Sequence, residues 1–303
     1  MDRKYEHLLK ELPFVYEEPG SFKRSFLMDK SFLGFENISV RFGACGKPGL
    51  IVEETDKAHT HDYDQVLFFF SSDIDDVLEL RAEVEIALGE EGDRFRFTVP
   101  TAVTIPKGVP HYPAVIREID REIYFLAVSC ASECKAQPVG TDKAHDAGQW
   151  GTIRSPYKMN VSSMHFMRKD GYAYGSEVSW DSGGTHAAYS GARNKPGADV
   201  IVAWQSIRKA HTMGPRTSDL KPEPHIHKPN EMLIFLGMDS DNPGYLGGEC
   251  EYCNGPENEP YIINKPSVAL FPKDLVHTAV TYKQPEKPYI LILVFPEANL
   301  YNG

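Results

Sequence analysis

The chain has 303 residues, of which 41% are apolar and 11% aromatic, enough for one large packed domain or two of medium size. Asp and Glu number 43 against 32 Lys and Arg, a formal net charge of -11. This acidic balance argues against nucleic acid as a partner, because phosphate binding needs a concentrated basic surface. No apolar run approaches the ~20 residues of a membrane span, and residues 1–13 carry no signal-peptide core, so we expect no membrane partner and a cytoplasmic location.

A short N-terminal helix is predicted over residues 4–12, because Leu8, Leu9 and Leu12 recur at helical spacing before Pro13. The pattern then changes to short apolar or alternating runs separated by Gly, Pro, Asn and Asp, which is typical of strands. These runs cover 35–41, 66–70, 82–88, 123–128, 200–204, 232–236 and 289–295. With 24 Gly and 22 Pro, the sequence predicts an all-β protein of the sandwich or barrel type.

An internal repeat relates the two halves of the chain. A shift of 166 residues superposes 59–111 on 225–277 without a gap, and 15 of the 53 paired residues are identical. Average residue usage would give roughly three identities by chance. Three of the identical pairs are histidines, which packing alone does not explain. The repeat predicts a duplicated β domain, with domains over 1–150 and 151–303 and a histidine triad in each.

Each triad has the spacing of a metal site. Its first two histidines are separated by one residue, so on a strand both imidazoles project from the same face. A Gln or Glu lies four residues after the second histidine. The third histidine lies 50 residues after the second histidine. Three neutral nitrogens plus one carboxylate suit a mononuclear Fe, Mn, Ni, Cu, Co or Zn ion. The first set is His59, His61, Gln65 and His111, and the second is His225, His227, Glu231 and His277.

These motifs resemble those of the cupin superfamily, specifically of a two-domain bicupin. The resemblance covers most of the chain and rests on AHTHDYDQVLFFF with IPKGVPH, and on PHIHKPNEMLIFLG with FPKDLVH. It implies two tandem double-stranded β-helix barrels of the jelly-roll type. It further implies one divalent transition metal (Fe, Mn, Ni or Zn) inside each barrel, held by the two sets of four residues above. Cupins often dimerise through edge strands, so a homodimer is a further expectation.

Two positions depart from the cupin pattern. Gln65 stands where the superfamily usually has Glu, and Asp274 replaces the turn glycine that Gly108 supplies in the first copy. An amide in place of a carboxylate raises the charge of a divalent site from about +1 to about +2. We therefore expect the first site to bind metal more weakly but to be the stronger Lewis acid, and the site with Glu231 to be the tighter one.

Other residues offer weaker signals. Tyr63 has the same strand parity as the ligands and is a candidate general acid or base, although a core aromatic would show the same pattern. Four cysteines, Cys130, Cys134, Cys250 and Cys253, could in principle bind zinc. The last two align with apolar strand positions of the first copy, which favours buried free thiols.

The resemblance implies a metal-dependent enzyme that acts on a small oxygen-rich organic substrate. It favours a dioxygenase, in which the substrate chelates the ion and dioxygen takes the remaining position. A redox-neutral isomerase, lyase or decarboxylase of a sugar acid or other carboxylate is the alternative, slightly favoured by Gln65. A non-catalytic bicupin that binds metal or a small ligand is the third, because one scaffold hosts many functions.

Overall fold

The computed structural model describes residues 3–16, 20–76, 79–139, 155–167, 186–191, 198–215, 217–219, 221–239 and 241–297. The chain forms two compact units, which we call the first and the second barrel. The first comprises Pro13–Met164 and Ser190–Asp199, and the second comprises Met1–Leu12, His165–Tyr189 and Val200–Gly303. The predicted domain boundary at residue 150 lies outside the described residues.

The described chain is built mainly of strands. In its first half they are β1 (Leu9–Glu11), β2 (Val15–Tyr16), β3 (Phe22–Met28), β4 (Ser39–Cys45), β5 (Gly49–Leu50), β6 (His59–Thr60), β7 (Gln65–Ser71), β8 (Ala82–Leu88), β9 (Asp93–Phe97), β10 (Thr101–Ile105), β11 (Val115–Ile119), β12 (Ile123–Ser129) and β13 (Gln137–Pro138). In its second half they are β14 (Val161–Ser163), β15 (His165–Met167), β16 (His186–Ser190), β17 (Ile201–Ile207), β18 (His211–Met213), β19 (Pro224–His225), β20 (Glu231–Gly237), β21 (Cys250–Asn254), β22 (Glu259–Ile263), β23 (Ser267–Phe271), β24 (His277–Thr278), β25 (Val280–Tyr282) and β26 (Tyr289–Phe295). The helical elements are one 3-10 turn, Glu6–Leu8, and α1 (Lys30–Leu33), whose N-terminus is capped by Asp29.

A large sheet and a smaller one form the first barrel. The strand orders are β14-β10-β7-β12-β4-β3-β2 and β5-β11-β8-β9, with β13 and β6 as a separate pair. Every residue of the central strands β7 and β12 is buried, which explains their continuous apolar sequences. Alternate residues, among them Leu67, Phe69 and Phe125, face a core shared with the smaller sheet.

The second barrel repeats this plan. Its large sheet has the order β1-β23-β20-β26-β17-β16-β15, and its smaller sheet joins β18, β25, β21, β24 and β19, with β22 paired to β21. Strands β7, β10 and β12 recur as β20, β23 and β26 at an offset of 166 residues. The sequence repeat is therefore also a structural repeat, and equivalent positions in the two barrels can be compared residue by residue.

The N-terminal segment differs from its prediction in extent and in location. The helix is only the 3-10 turn Glu6–Leu8, and the chain then forms β1, which pairs with β23 of the second barrel at Leu9 and Ala269. Residues 1–12 thus belong with the second barrel, although the sequence assigned them to the first domain. The edge of β23 offers backbone hydrogen bonds, which an isolated helix of this length cannot match. In the described part of the chain, no helix has both the length and the apolar character needed to cross a bilayer.

Candidate metal centres

The first barrel brings together the three histidines of its triad. His59 and His111 pair in antiparallel fashion, with N–O distances of 3.0 and 2.9 Å between their backbones. His61 follows two residues after His59, and all three side chains are buried. The ligand nitrogens of the triad all lie within 4.8 Å of one another. This spacing allows one metal ion to contact all three.

Backbone carbonyl groups determine which imidazole nitrogen is available. The Nδ1 atoms of His59, His61 and His111 lie 2.8, 3.2 and 3.4 Å from backbone carbonyl oxygens. Because a carbonyl oxygen only accepts, each Nδ1 carries the hydrogen and each Nε2 keeps its lone pair. The three Nε2 atoms are buried without a hydrogen-bond partner. A shared metal ion would satisfy all of them, and such carbonyl contacts are usual for metal-binding histidines.

The second barrel repeats the triad and adds a carboxylate. His225 pairs with His277 across β19 and β24, and the ligand nitrogens of His225, His227 and His277 lie within 4.8 Å of one another. Glu231 is buried, and its Oε2 lies 3.3 Å from Nε2 of both His227 and His277. Burial opposes ionisation of Glu231, but the neighbouring imidazoles of His277, His227 and His225 outweigh it and lower its pKa. An ionised carboxylate therefore faces the triad.

Five of the six imidazoles have a lowered pKa and are neutral at pH 7. Burial lowers the pKa of His59, and it lowers that of His61 to about 4 with a further contribution from His59. Burial also holds the pKa of His111 well below its ordinary value. In the second barrel, burial lowers the pKa of His225 to about 4 and lowers that of His227. Metal binding requires unprotonated imidazoles, and these five histidines meet this requirement.

In each barrel, the turn that precedes the third histidine forms a backbone hydrogen bond with the second histidine. Gly108 N donates to His61 O at 2.8 Å, and Asp274 N donates to His227 O at 2.9 Å. Both turn residues have positive φ, 78° for Gly108 and 61° for Asp274. This left-handed conformation explains the glycine, and Asp is among the few other residues that adopt it. This hydrogen bond fixes the distance between the first two histidines and the third histidine of each triad.

Gln65, the fourth predicted ligand of the first barrel, has an environment of its own. Its Nε2 donates to Ser129 Oγ at 3.1 Å, and its Oε1 is buried without a partner. Beside it lies Glu53, only 4% exposed, whose two carboxyl oxygens also have no hydrogen-bond partner. Burial raises the pKa of Glu53 to about 8, against the opposing effects of Arg41 and Gln65. A buried carboxyl group thus lies close enough to Gln65 to interact with it.

The sequence analysis does not single out Glu53. It lies in the segment EETDK, whose charges are typical of a solvated loop, and it precedes the repeat, which begins at His59. The residue 166 positions later, Asp219, is exposed and forms an ion pair with Lys221 at 2.7 Å. No comparison of the two copies could therefore have identified Glu53.

Tyr63 lies against the first triad. Its ring stacks on that of His61 with centroids 4.7 Å apart, and its hydroxyl oxygen accepts a hydrogen bond from Lys135 N at 3.0 Å. Burial raises its pKa, so the hydroxyl keeps its proton at neutral pH. The contacts show a group that orients His61, and the acid or base role of Tyr63 stays a prediction.

The cysteines do not form a thiolate cluster among the described residues. All five are free, and the groups there that could hold a metal are the two histidine triads. Cys250 lies in β21 with its side chain in the core, where burial raises its pKa. This agrees with the interpretation of a buried free thiol at Cys250, whereas Cys253 is free but only partly buried.

No family model matches the chain, and no curated protein matches it. Solved structures do match, over nearly the whole chain. An oxalate decarboxylase of Bacillus subtilis, studied for its Mn(II) centres, is 11% identical with a TM-score of 0.57, and a mutant of the same enzyme is 11% identical with a TM-score of 0.58. An oxalate decarboxylase studied for its substrate binding mode is 12% identical with a TM-score of 0.58. In each case the match covers 97% of this chain and 78% of the other.

At this identity the likeness shows the fold. It confirms the predicted fold class, all-β with two tandem barrels. The two histidine triads, found independently of that likeness, fit a divalent metal in each barrel.

Proposed function

We propose that this protein is a metal-dependent enzyme with one divalent transition-metal ion in each barrel. The proposal rests on one observation: three buried Nε2 atoms of the first triad converge within 4.8 Å, each with its lone pair free and without a partner. Burying three such groups without an ion would cost free energy at each. The proposed ligands are His59, His61, Gln65 and His111 in the first barrel and His225, His227, Glu231 and His277 in the second.

The residues present suit the metals named from the sequence. Imidazole binds Zn, Cu, Fe and Ni well, and a carboxylate or amide oxygen extends the set to Mn. A bound ion would act as a Lewis acid that polarises a coordinated oxygen of the substrate. Three histidines and one oxygen leave open positions on an octahedral ion, so a small oxygen-rich substrate fits the site.

We place redox-neutral decarboxylation of a small carboxylate ahead of the dioxygenase reaction that the resemblance favoured. The similar structures named above are oxalate decarboxylases. The ligands of the first barrel are all uncharged, so a divalent ion there keeps its positive charge toward substrate, which favours an anion. Dioxygenase activity rests on the superfamily resemblance alone.

In a decarboxylation the carbon–carbon bond breaks, its electron pair stays on the remaining carbon, carbon dioxide leaves, and that carbon is then protonated. The chain's own contribution is to hold imidazoles neutral, exclude water from the buried first triad and orient the ligand rings. Tyr63, which keeps its proton beside His61, is the candidate donor.

The test is an assay of the Mn(II)-loaded chain with small mono- and dicarboxylic acids, oxalate first, measuring carbon dioxide release and oxygen uptake together. We expect carbon dioxide without stoichiometric oxygen uptake, and loss of turnover in His111→Ala and His277→Ala combined. Oxygen uptake that matches turnover would replace the proposal by a dioxygenase. Tight metal binding without turnover of any of the acids would instead support the third alternative, a non-catalytic protein that binds metal or a small ligand.

A further inference from the structure

The interior wall beside the third histidine is polar in the second barrel and apolar in the first. Asn254, the last residue of β21, pairs with His277 on β24. Leu88, the last residue of β8, pairs with His111 in the same way and belongs to the apolar core. Leu88 and Asn254 are 166 residues apart, so they are equivalent positions of the repeat. The second barrel thus has an amide where the first has a hydrocarbon side chain.

The side chain of Asn254 faces the interior of the barrel. Along β21 the residues Cys250, Tyr252 and Asn254 are buried, whereas the two residues between them are exposed or partly buried. Cys250 and Tyr252 belong to the interior core, and side chains two residues apart on a strand lie on the same face. Residues directly opposite each other in an antiparallel pair have Cβ atoms about 5 Å apart. The amide therefore lies beside the buried imidazole of His277.

The amide of Asn254 has no hydrogen-bond partner in the described part of the chain. The residue is fully buried, and both Nδ2 and Oδ1 lack a partner there. The buried hydroxyl oxygen of Tyr252 also has none among the described residues, and the first barrel has Ile86 at that position. The rings of Tyr252 and His277 both contact Phe271, with centroids 5.2 and 4.3 Å away. Burying unpartnered polar groups beside the triad costs free energy, which a bound ligand would offset.

The unpartnered atoms indicate which kind of ligand would fit. Nδ2 of an amide only donates hydrogen bonds and Oδ1 only accepts them. A dianion such as oxalate offers acceptors alone, so it would leave Oδ1 without a donor. An acid that carries a hydroxyl group beside its carboxylate offers both. The charge agrees with this choice, because a divalent ion in contact with Glu231 carries about +1, which a single negative charge balances.

We propose that Asn254 is a substrate-binding residue of the second barrel and that the second metal site takes a small hydroxy acid with one negative charge. Oδ1 accepts the hydroxyl hydrogen of this acid, and Nδ2 donates to one of its oxygens. This inference rests on the proposed metal function and adds the substrate class of one of the two sites. It also explains why a buried amide stands where the other barrel has Leu88.

The experiment compares glycolate with acetate, two monoanions that differ only in a hydroxyl group. Each is titrated calorimetrically into the Mn(II)-loaded full-length chain carrying His111→Ala, in which Mn(II) binds only the second triad. Asn254→Ala removes the amide, and Asn254→Leu introduces the side chain of the first barrel. Cys253→Ala is the matched control, because this neighbouring residue is partly buried and lies on the other face of β21.

We expect both Asn254 variants to weaken glycolate binding about tenfold or more, because hydrogen bonds to a charged ligand are lost. Acetate offers no hydroxyl hydrogen to Oδ1, so its binding should weaken less and the ratio of the two affinities should fall. Any contact between the glycolate hydroxyl and Mn(II) is common to all variants and does not change this comparison. Mn(II) affinity should stay the same in the Asn254 variants, and Cys253→Ala should leave all three affinities unchanged.

An unchanged ratio of glycolate to acetate affinity in Asn254→Ala, with Mn(II) bound, would overturn this inference and leave the proposed metal function standing. A fall in Asn254→Leu alone would also overturn it, since the larger side chain would then exclude glycolate sterically. Failure of the starting chain to bind Mn(II) would instead overturn the proposed metal function, and this inference with it. Should the His111→Ala chain not fold, the Asn254 variants are compared in the otherwise unchanged chain at two equivalents of Mn(II), where the same preferential loss of glycolate binding is expected.

Discussion

The two barrels share a backbone plan and a histidine triad but differ in where they place their polar groups. In the second barrel the carboxylate of Glu231 contacts two imidazoles directly, and the apolar ring of Phe295 lies 5.1 Å from that of His227. In the first barrel an amide takes the position of the carboxylate, and Ser129 takes the position of Phe295. The duplicated strands thus fix the positions of the histidines, while a few interior side chains set the charge of each site.

This comparison suggests different tasks for the two sites. A carboxylate in contact with the ion lowers its charge and strengthens binding, which suits a tight site. A neutral contact leaves a more electrophilic ion, which suits an anionic substrate. We therefore expect the second site to be the tighter one and the first to depend more on its surroundings.

Removal of the Phe295 ring should have the largest effect on stability among the changes that distinguish the two barrels. Phe295→Ala deletes a buried ring from the core of the second barrel and should cost ~3 kcal/mol of its stability. Differential scanning calorimetry should show a lower transition temperature for the second barrel and an unchanged transition for the first. Ser129→Ala, the matched change in the first barrel, removes the hydrogen bonds that Ser129 Oγ accepts from Gln65 and from the weak donor Cys134, and should cost only ~1 kcal/mol. Equal shifts for the two variants would contradict the assignment of different interiors.

Acid should destabilise both barrels of the metal-free protein. His61 and His225 have a pKa of about 4 when folded, against an ordinary value near 6.5, so the unfolded chain binds more protons between these pH values. The free energy of unfolding is therefore highest above pH 6.5 and falls as the pH drops toward 4. Urea unfolding at pH 7, 6 and 5 checks this, and a midpoint that is flat or rises on acidification would contradict the buried, neutral imidazoles.

Loss of the carboxylate should make the second site resemble the first. Glu231→Gln keeps the shape of the side chain but removes its charge, so Mn(II) affinity at the second site should fall about tenfold or more. Isothermal titration of the metal-free protein should show the two binding steps moving closer together. Glu249→Gln, a change to a partly exposed acid of the same barrel that pairs with Lys283, serves as the control and should leave both steps in place. An equal loss of Mn(II) affinity in the two variants would show that Glu231 has no special role in metal binding.

Changes at the turn residues should have the smallest effect on stability. Asp274 pairs with Lys228 at 3.2 Å, whereas the first barrel has Gly108 at the turn and Asp62 at the position of Lys228. Gly108→Asp meets no atom within 4 Å of the new Cβ, but it adds left-handed strain and sets two acids near each other, so it should cost ~1 kcal/mol. Adding Asp62→Lys should recover part of this, up to ~0.5 kcal/mol. Thermal unfolding measures both, and a stabilising Gly108→Asp would show that the turn is not strained.

The repeat made most of the fold and both triads predictable. Strand positions followed from short apolar runs, and the histidines stood out because identical residues at equal spacing survive poorly in duplicated cores unless they act together. The N-terminal helix was less predictable. Leu8 and Leu12 have helical spacing, yet their burial comes from packing at the β23 edge, which is remote in sequence.

The surroundings of Gln65 could not be predicted for a different reason. Glu53 and Arg41 come from separate segments, and Asp219, at the position equivalent to Glu53, is exposed and gives no sign of a buried carboxyl group. Ser129 ends a strand whose other residues are apolar, which gives no sign of its bond to Gln65. Such contacts depend on which strands become neighbours, and the pairing of strands is known only from the folded structure.

A metal count tests the two-site account most directly. The purified chain is stripped of metal, reloaded with Mn(II) by equilibrium dialysis, and analysed by mass spectrometry of the element against protein concentration. We expect two equivalents per chain, one equivalent in His111→Ala and in His277→Ala, and loss of the tighter equivalent in His277→Ala. Less than one equivalent in the unchanged chain, or two equivalents in either variant, would contradict the account.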